Sequence, residues 1–195
     1  MASFLAVNGA IEALRSLLEA RVTEELTAVV TNPTVVQIGP TELRAGPTAQ
    51  SIGLYLHRVS VDRDGRNRYL APPAPGQPRQ PELPVNLHLL LVAWTETTIN
   101  EAPLLAWAMQ QIGASFELDP TNLGPGDPRW GEEDGLRVTP EDLTTETLLR
   151  IWDAIPGDYR LSAPYVLKTV RLEPSVPATV SPPVTTIVLP TGTQP

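Results

Sequence analysis

From Val85 to Trp94 the chain reads Val-Asn-Leu-His-Leu-Leu-Leu-Val-Ala-Trp, with apolar residues at every odd position and even positions that turn apolar after His88. This alternation predicts a strand covered on one face at its start and on both faces at its end. Behind it, Thr97 and Thr98 offer capping hydroxyls, Pro103 suits a first helical turn, and Leu105, Met109 and Ile112 recur at helical spacing. The other elements are expected to pack around this strand and helix.

Upstream, Phe4, Val7, Ile11, Leu14, Leu18, Val22 and Leu26 step by three or four, predicting one amphipathic helix from Phe4 to about Ala28 with a charged outer face. Asn32-Pro33 stops it, Thr34 to Ile38 reads as a short strand, and Gly39-Pro40 turns the chain. In the next strand Ile52, Leu54 and Leu56 share one face, after which Val59 and Val61 take over the other. A phase change within one strand predicts a bulge, or an end that leaves the core to contact something else. Asp62 to Arg68 is a polar turn, and the prolines between Ala71 and Pro84 predict an extended, stiff surface loop.

Beyond the central helix, Asp119 to Gly135 is rich in Gly, Pro and acids, with Trp130 alone among them. A tryptophan there either tucks over the core or is held out for a partner. Leu136 to Val138 can pair briefly, and Thr139 to Asp142 resembles a capped turn. Thr144 can cap a helix carrying Leu148, Ile151, Trp152 and Ile155, which Pro156-Gly157 ends. Tyr165 to Leu172 reads as a last strand, with Val166, Val170 and Leu172 on one face.

From Glu173 prolines recur, around the uncharged, β-prone hexapeptide Val184-Thr185-Thr186-Ile187-Val188-Leu189. Such a segment is hazardous unless it pairs with a sheet edge, its own or a neighbour's. The chain therefore divides into an α+β domain over residues 1–172, a mixed sheet flanked by helices, and an extended proline-rich C-terminal arm over 173–195.

Composition narrows the function. With 195 residues, 42% of them hydrophobic, one domain can bury a substantial core. Cysteine is absent, which excludes disulfides, thiolate metal sites and cysteine nucleophiles and fits a reducing cytoplasm. No leader pattern is expected at the N-terminus, and the apolar runs, Leu89 to Trp94 among the longest, are far short of the roughly 20 residues that span a bilayer. Runs that short argue against direct membrane insertion, and a net charge of −8 with Lys168 as the single lysine argues against nucleic acid.

Chemistry is sparse. No phosphate-cradling glycine motif occurs. Gly113-Ala114-Ser115 begins like a nucleophile elbow, but Glu117 replaces its last glycine and the segment follows a helix. His57 and His88 lie at strand positions and can face one another, without a carboxylate or third ligand nearby in sequence. Asp127 and Glu132-Glu133-Asp134 do not match a calcium-loop spacing. No catalytic, cofactor-binding or metal-binding residue is expected.

Three strings stand out in succession: Ile52-Gly53-Leu54-Tyr55-Leu56-His57-Arg58-Val59; then Leu87 to Trp94 with the Ala102 to Ile112 helix; then Leu148 to Ile155 with Arg160-Leu161-Ser162-Ala163-Pro164-Tyr165. This order, over about residues 4–172, resembles the N-terminal domain family of cap, or tail-terminator, proteins of phage-tail-like extracellular contractile injection systems. The resemblance implies a tail-terminator-like α+β fold and a homo-oligomeric ring, six-fold in that family. It implies that the ring closes the baseplate-distal end of the inner tube and grips the last sheath layer, with tube and sheath proteins as partners. It implies no catalytic set and no cofactor. It also implies assembly in the cytoplasm, within a particle that is released or becomes membrane-associated.

On this reading Trp130, Val59, Val61, Val184, Ile187, Val188 and Leu189 are the candidate protein-interface residues. The alternatives are a tail-completion protein of a contractile phage, a small carbohydrate-binding module using Trp130 and the acidic loop, and a hydrolase with dispersed carboxylates.

Overall fold

The computed structural model describes residues 3–66, 82–115, 117–118, 130 and 135–173. Its frame is a six-stranded mixed sheet in the order β1-β2-β3-β6-β5-β4. The strands are β1 (Thr34–Gln37), β2 (Ser51–Val61), β3 (Leu83–Trp94), β4 (Glu117–Leu118), β5 (Leu136–Pro140) and β6 (Ser162–Leu172). β1 runs parallel to β2, and the other neighbours are antiparallel.

β3 lies inside the sheet, and its burial follows the sequence pattern: Leu83 is exposed, Asn86 half-buried, and everything from Leu87 onward buried. Its odd positions Val85, Leu87, Leu89, Leu91 and Ala93 join a core built with helix α1 (Ala6–Glu19), helix α2 (Glu24–Val29) and helix α5 (Glu101–Ala114). Its even positions Leu90, Val92 and Trp94 meet Leu43 of α3 (Pro40–Ala45) and Trp152 of α6 (Thr145–Ala154). The sheet is thus covered on both faces by helices. Each fully buried leucine of β3 contributes about 1.5–3 kcal/mol of transfer free energy.

Several boundaries differ from the sequence reading. The N-terminal helix is two helices: α1 ends at Glu19, and α2 restarts at Glu24 with the Thr23 side chain accepting from the Leu26 N–H at 3.3 Å. Leu18, Val22 and Leu26 keep helical spacing across the break, which hides it. The Arg21 guanidinium, lying in the break, donates to Gln111 O at 2.9 Å and to Ser115 Oγ at 2.6 Å, tying it to α5. Gly39-Pro40 opens α3 rather than a simple turn, with the Glu42 carboxylate accepting from the Gly39 N–H at 2.9 Å. The hydroxyls of Thr97 and Thr98 do not cap α5, whose N-cap is Asn100, and Met109 is exposed while Leu104 and Trp107 are buried in its place.

Leu83 and Pro84, assigned above to the proline loop, belong to β3; a proline suits the start of a strand, where a missing donor costs least. The rest of that loop lies outside the described residues. Thr139 and Pro140 are strand residues rather than part of a turn. β6 begins at Ser162, earlier than expected, and an irregular register between Val85 and Leu87 leaves Leu167 and Val170 on the α1 side of the sheet. The α6 expectation holds: Thr144 Oγ1 accepts from the Thr147 N–H, and the helix stops before Pro156-Gly157.

A single-turn helix, α4 (Arg63–Arg66), follows β2. It opens with the Asp62 carboxylate accepting from the Asp64 N–H at 3.1 Å.

Candidate functional site

The distinctive local structure lies at the far end of β2. Pairing with β3 runs in step from Ser51–Trp94 to Leu56–Leu89, then resumes at Arg58–His88, so His57 is an extra residue on β2. This is the bulge that the phase change predicted. Its effect is the reverse of a change of face: directly paired residues share a face, so Val59, opposite Leu87, and Val61, opposite Val85, stay on the same side as Leu56. Helices cover that side farther along, but Val59 and Val61 remain 50% and 44% exposed, and neighbouring Leu83 is 43% exposed.

On the opposite face the bulge gathers a polar cluster. The rings of His57 and His88 meet edge to face at 6.1 Å. Ser60 Oγ lies 2.8 Å from His88 Nε2, and Glu141 Oε1 lies 2.8 Å from His88 Nδ1. Arg58 reaches over from the rim, half-exposed, and donates to Glu141 Oε1 at 3.1 Å. The Glu141 and Ser60 contacts suit a His88 that donates from Nδ1 and accepts from the Ser60 hydroxyl at Nε2, while the Arg58 guanidinium lies against the same ring, 3.1 Å from Nδ1 and 3.3 Å from Nε2. Burial lowers the pKa of His57; Glu141 opposes that shift, while His88 and Arg58 add to it. His57 Nε2 and Glu141 Oε2 are buried without a hydrogen-bond partner.

No carboxylate lies near the histidines in sequence, but the fold brings Glu141 to His88. Glu141 is remote in sequence, but the order β3-β6-β5 carries the end of β5 to within reach of His88. Nothing local in the sequence marks Glu141, Arg58 or Ser60; only the sheet order brings them together.

Ser60, His88 and Glu141 stand in the order of a serine nucleophile relay. Their setting argues for a structural tie. Ser60 occupies a regular ladder position opposite Asn86. Backbone N–H groups of a ladder lie in the sheet plane, whereas the Ser60 side chain stands off it, so the neighbouring amides do not converge above Oγ as an oxyanion hole requires. The cluster instead joins β2, β3 and the segment after β5, and thereby holds the exposed end of β2 in place.

Trp130 is half-buried and packs against the main core, its indole N–H buried without a partner. Ser115 ends α5 and accepts from Arg21. Lys168 is exposed on β6 opposite Arg137. Val184, Ile187, Val188 and Leu189, as well as Asp127 and the Glu132-Glu133-Asp134 run, lie outside the described residues. Among the described residues no group of three or more His, Cys, Asp or Glu side chains could hold a metal ion, and no helix is long and apolar enough to cross a membrane.

Comparison with curated proteins finds no match. Solved structures that share the fold include the following two. One is the sheath/tube terminator, in the extended state, of an extracellular contractile injection system, PVC; it is 16% identical, with a TM-score of 0.59 over 95% of this chain and 64% of that one. The other is the tube-terminating cap of the anti-feeding prophage, 15% identical, with a TM-score of 0.59 over 97% of this chain and 62% of that one. The chain spans a little under two thirds of the length of these two proteins. The model of the Pvc16 N-terminal domain matches residues 9–186, past Glu173 and into the hexapeptide. On that match over most of its length, the chain belongs to the Pvc16 N-terminal domain family.

Proposed function

We propose that this chain is a terminator subunit of a phage-tail-like contractile injection particle. Copies of it form a closed ring, six-fold as in the sequence reading, that seals the baseplate-distal end of the inner tube and grips the last sheath layer. The observation that carries this reading is that a tube terminator and a tube-terminating cap share the frame of sheet and helices over nearly all of this chain. The surface supports it: a closed ring needs two different faces of one subunit to meet, and the far end of β2 offers an apolar strip with a rigid polar buttress behind it.

In this role the chain works by shape and binds no cofactor. Val59, Val61, Trp130 and the Val184, Ile187, Val188 and Leu189 arm supply contacts to the next subunit, the tube or the sheath. The particle assembles in the cytoplasm before release or membrane association.

The test is electron microscopy of particles made with and without the protein. The chain should localise as one ring at the end opposite the baseplate, and its loss should leave tubes of uneven length and sheaths that do not stay extended. A serine-reactive fluorophosphonate probe should leave Ser60 unmodified; labelling would give the relay a chemical role and count against a purely structural subunit.

A further inference from the structure

The β2 edge of the sheet is only partly covered. β1 pairs with β2 from Ser51 to Leu54, and the Ile38 N–H makes a last bond to Leu54 O at 3.0 Å. From Tyr55 to Val61 no described residue pairs with that edge. A free edge presents a row of backbone donors and acceptors to any strand that approaches. Here the approach is apolar on one face, through Val59 and Val61, and the strand is pinned from the other face by Ser60, His88, Glu141 and Arg58. A strand held still by its own hydrogen bonds loses little freedom when it accepts a partner.

We propose that this edge receives the Val184 to Leu189 segment of a second copy of the chain, as an added strand. The inference rests on the ring reading above and names the contact that closes the ring.

Three observations favour this occupant. The hexapeptide is uncharged, and four of its six residues are aliphatic, which suits the Val59 and Val61 strip. Next, β6 pairs with β3 through Leu172–Leu83, and β3 pairs with β2 through Val85–Val61, so the arm leaves the fold at the end of the sheet where the open edge lies. The third is reach. Strand spacings put β6 only about 10 Å from β2, whereas the linker from Glu173 to Pro183 contains Pro174, Pro177, Pro182 and Pro183. At about 3.1 Å per residue, extended chain of that length can span up to roughly 34 Å, well beyond its own edge and enough for the hexapeptide to reach a second copy.

The absence of cysteine makes the test clean. Full chains carrying Val61→Cys are mixed with full chains carrying Thr186→Cys and oxidised mildly. The control replaces Val61→Cys with Arg150→Cys, on an exposed part of α6. The expected result is a mixed disulfide between the two chains at roughly tenfold or more over the control, because pairing raises the local concentration of one thiol around the other. Scanning cysteine through residues 184–189 should give yields that alternate with a period of two, as strand pairing demands and loose contact does not.

The double variant Val61→Cys, Thr186→Cys should give a ladder of linked chains. Mixed-disulfide yield no higher than the control, or a double variant that links only within one chain, overturns the proposal. If the mixed chains nevertheless sediment as a ring, the pairing alone fails and the terminator reading stands. Particle length tests that reading separately.

Discussion

Replacing Val59 and Val61 by lysine separates assembly from folding. Both side chains are about half-exposed in the single chain, 50% and 44%. Fully burying a valine is worth about 1.5–3 kcal/mol, so covering the remaining half of each is worth about 0.7–1.5 kcal/mol, or about 1.5–3 kcal/mol for the pair at each subunit contact. In the free chain a lysine stem can lie along Leu83 and keep its ammonium in water, so the domain should lose no more than about 0.5 kcal/mol. At a contact, lysines on a strand edge oppose pairing outright. The expected outcome is self-association weakened by roughly 10- to 150-fold, with a melting temperature lowered by no more than about 1–2 °C. Sedimentation velocity over a dilution series gives the first quantity and thermal unfolding of the dilute protein the second. Self-association at the parental strength would refute the assignment of this strip to the interface. An equal loss of domain stability would show that the valines belong to the core.

Other outcomes follow from particular contacts. Thr144→Ala removes the side-chain cap of α6 and should cost about 1 kcal/mol, or about 2–4 °C in melting temperature, by calorimetry. Gly157→Ala should cost more, about 1–3 kcal/mol in urea unfolding, because φ is +133° and an added Cβ would stand 2.9 Å from Leu43 O. His57 has its pKa lowered from 6.5 by burial. Its proton is therefore held more tightly by the unfolded chain, so stability is full above pH 6.5 and declines as pH falls below it. Urea midpoints measured from about pH 7.5 down to about pH 5.5 should show that slope, and His57→Gln should flatten it.

The elements that could be read from the sequence are those whose signals are local. The odd and even positions of Val85 to Trp94 describe the real burial of β3, and Thr144 and Pro156-Gly157 bracket α6 correctly. The bulge at His57 was legible because apolar residues changed phase at that point. Its consequence was not, since only the register with β3 shows that the extra residue returns Val59 and Val61 to the face of Leu56. The break between α1 and α2 was masked by an apolar stripe that stays in phase across it, although Thr23-Glu24-Glu25 carried a cap and two first-turn acids. The Glu141 to His88 contact was out of reach because it depends on β6 lying between β3 and β5. Sequence spacing does not encode strand order, so the polar buttress behind the exposed strip could come only from the structure.

That strip and its buttress give the terminator reading a physical form. The bulge places apolar side chains on one face and charged or polar ones on the other. The polar network stiffens the end of β2, and among the described residues no strand pairs with its outer edge beyond Leu54.

The most direct measurement is the length distribution of particles in electron micrographs from cells with and without the chain. The account predicts a narrow distribution with it, with a ring at the end opposite the baseplate, and a broad distribution of uncapped tubes without it. Particles of the same narrow length and the same extended sheath in its absence would contradict the account.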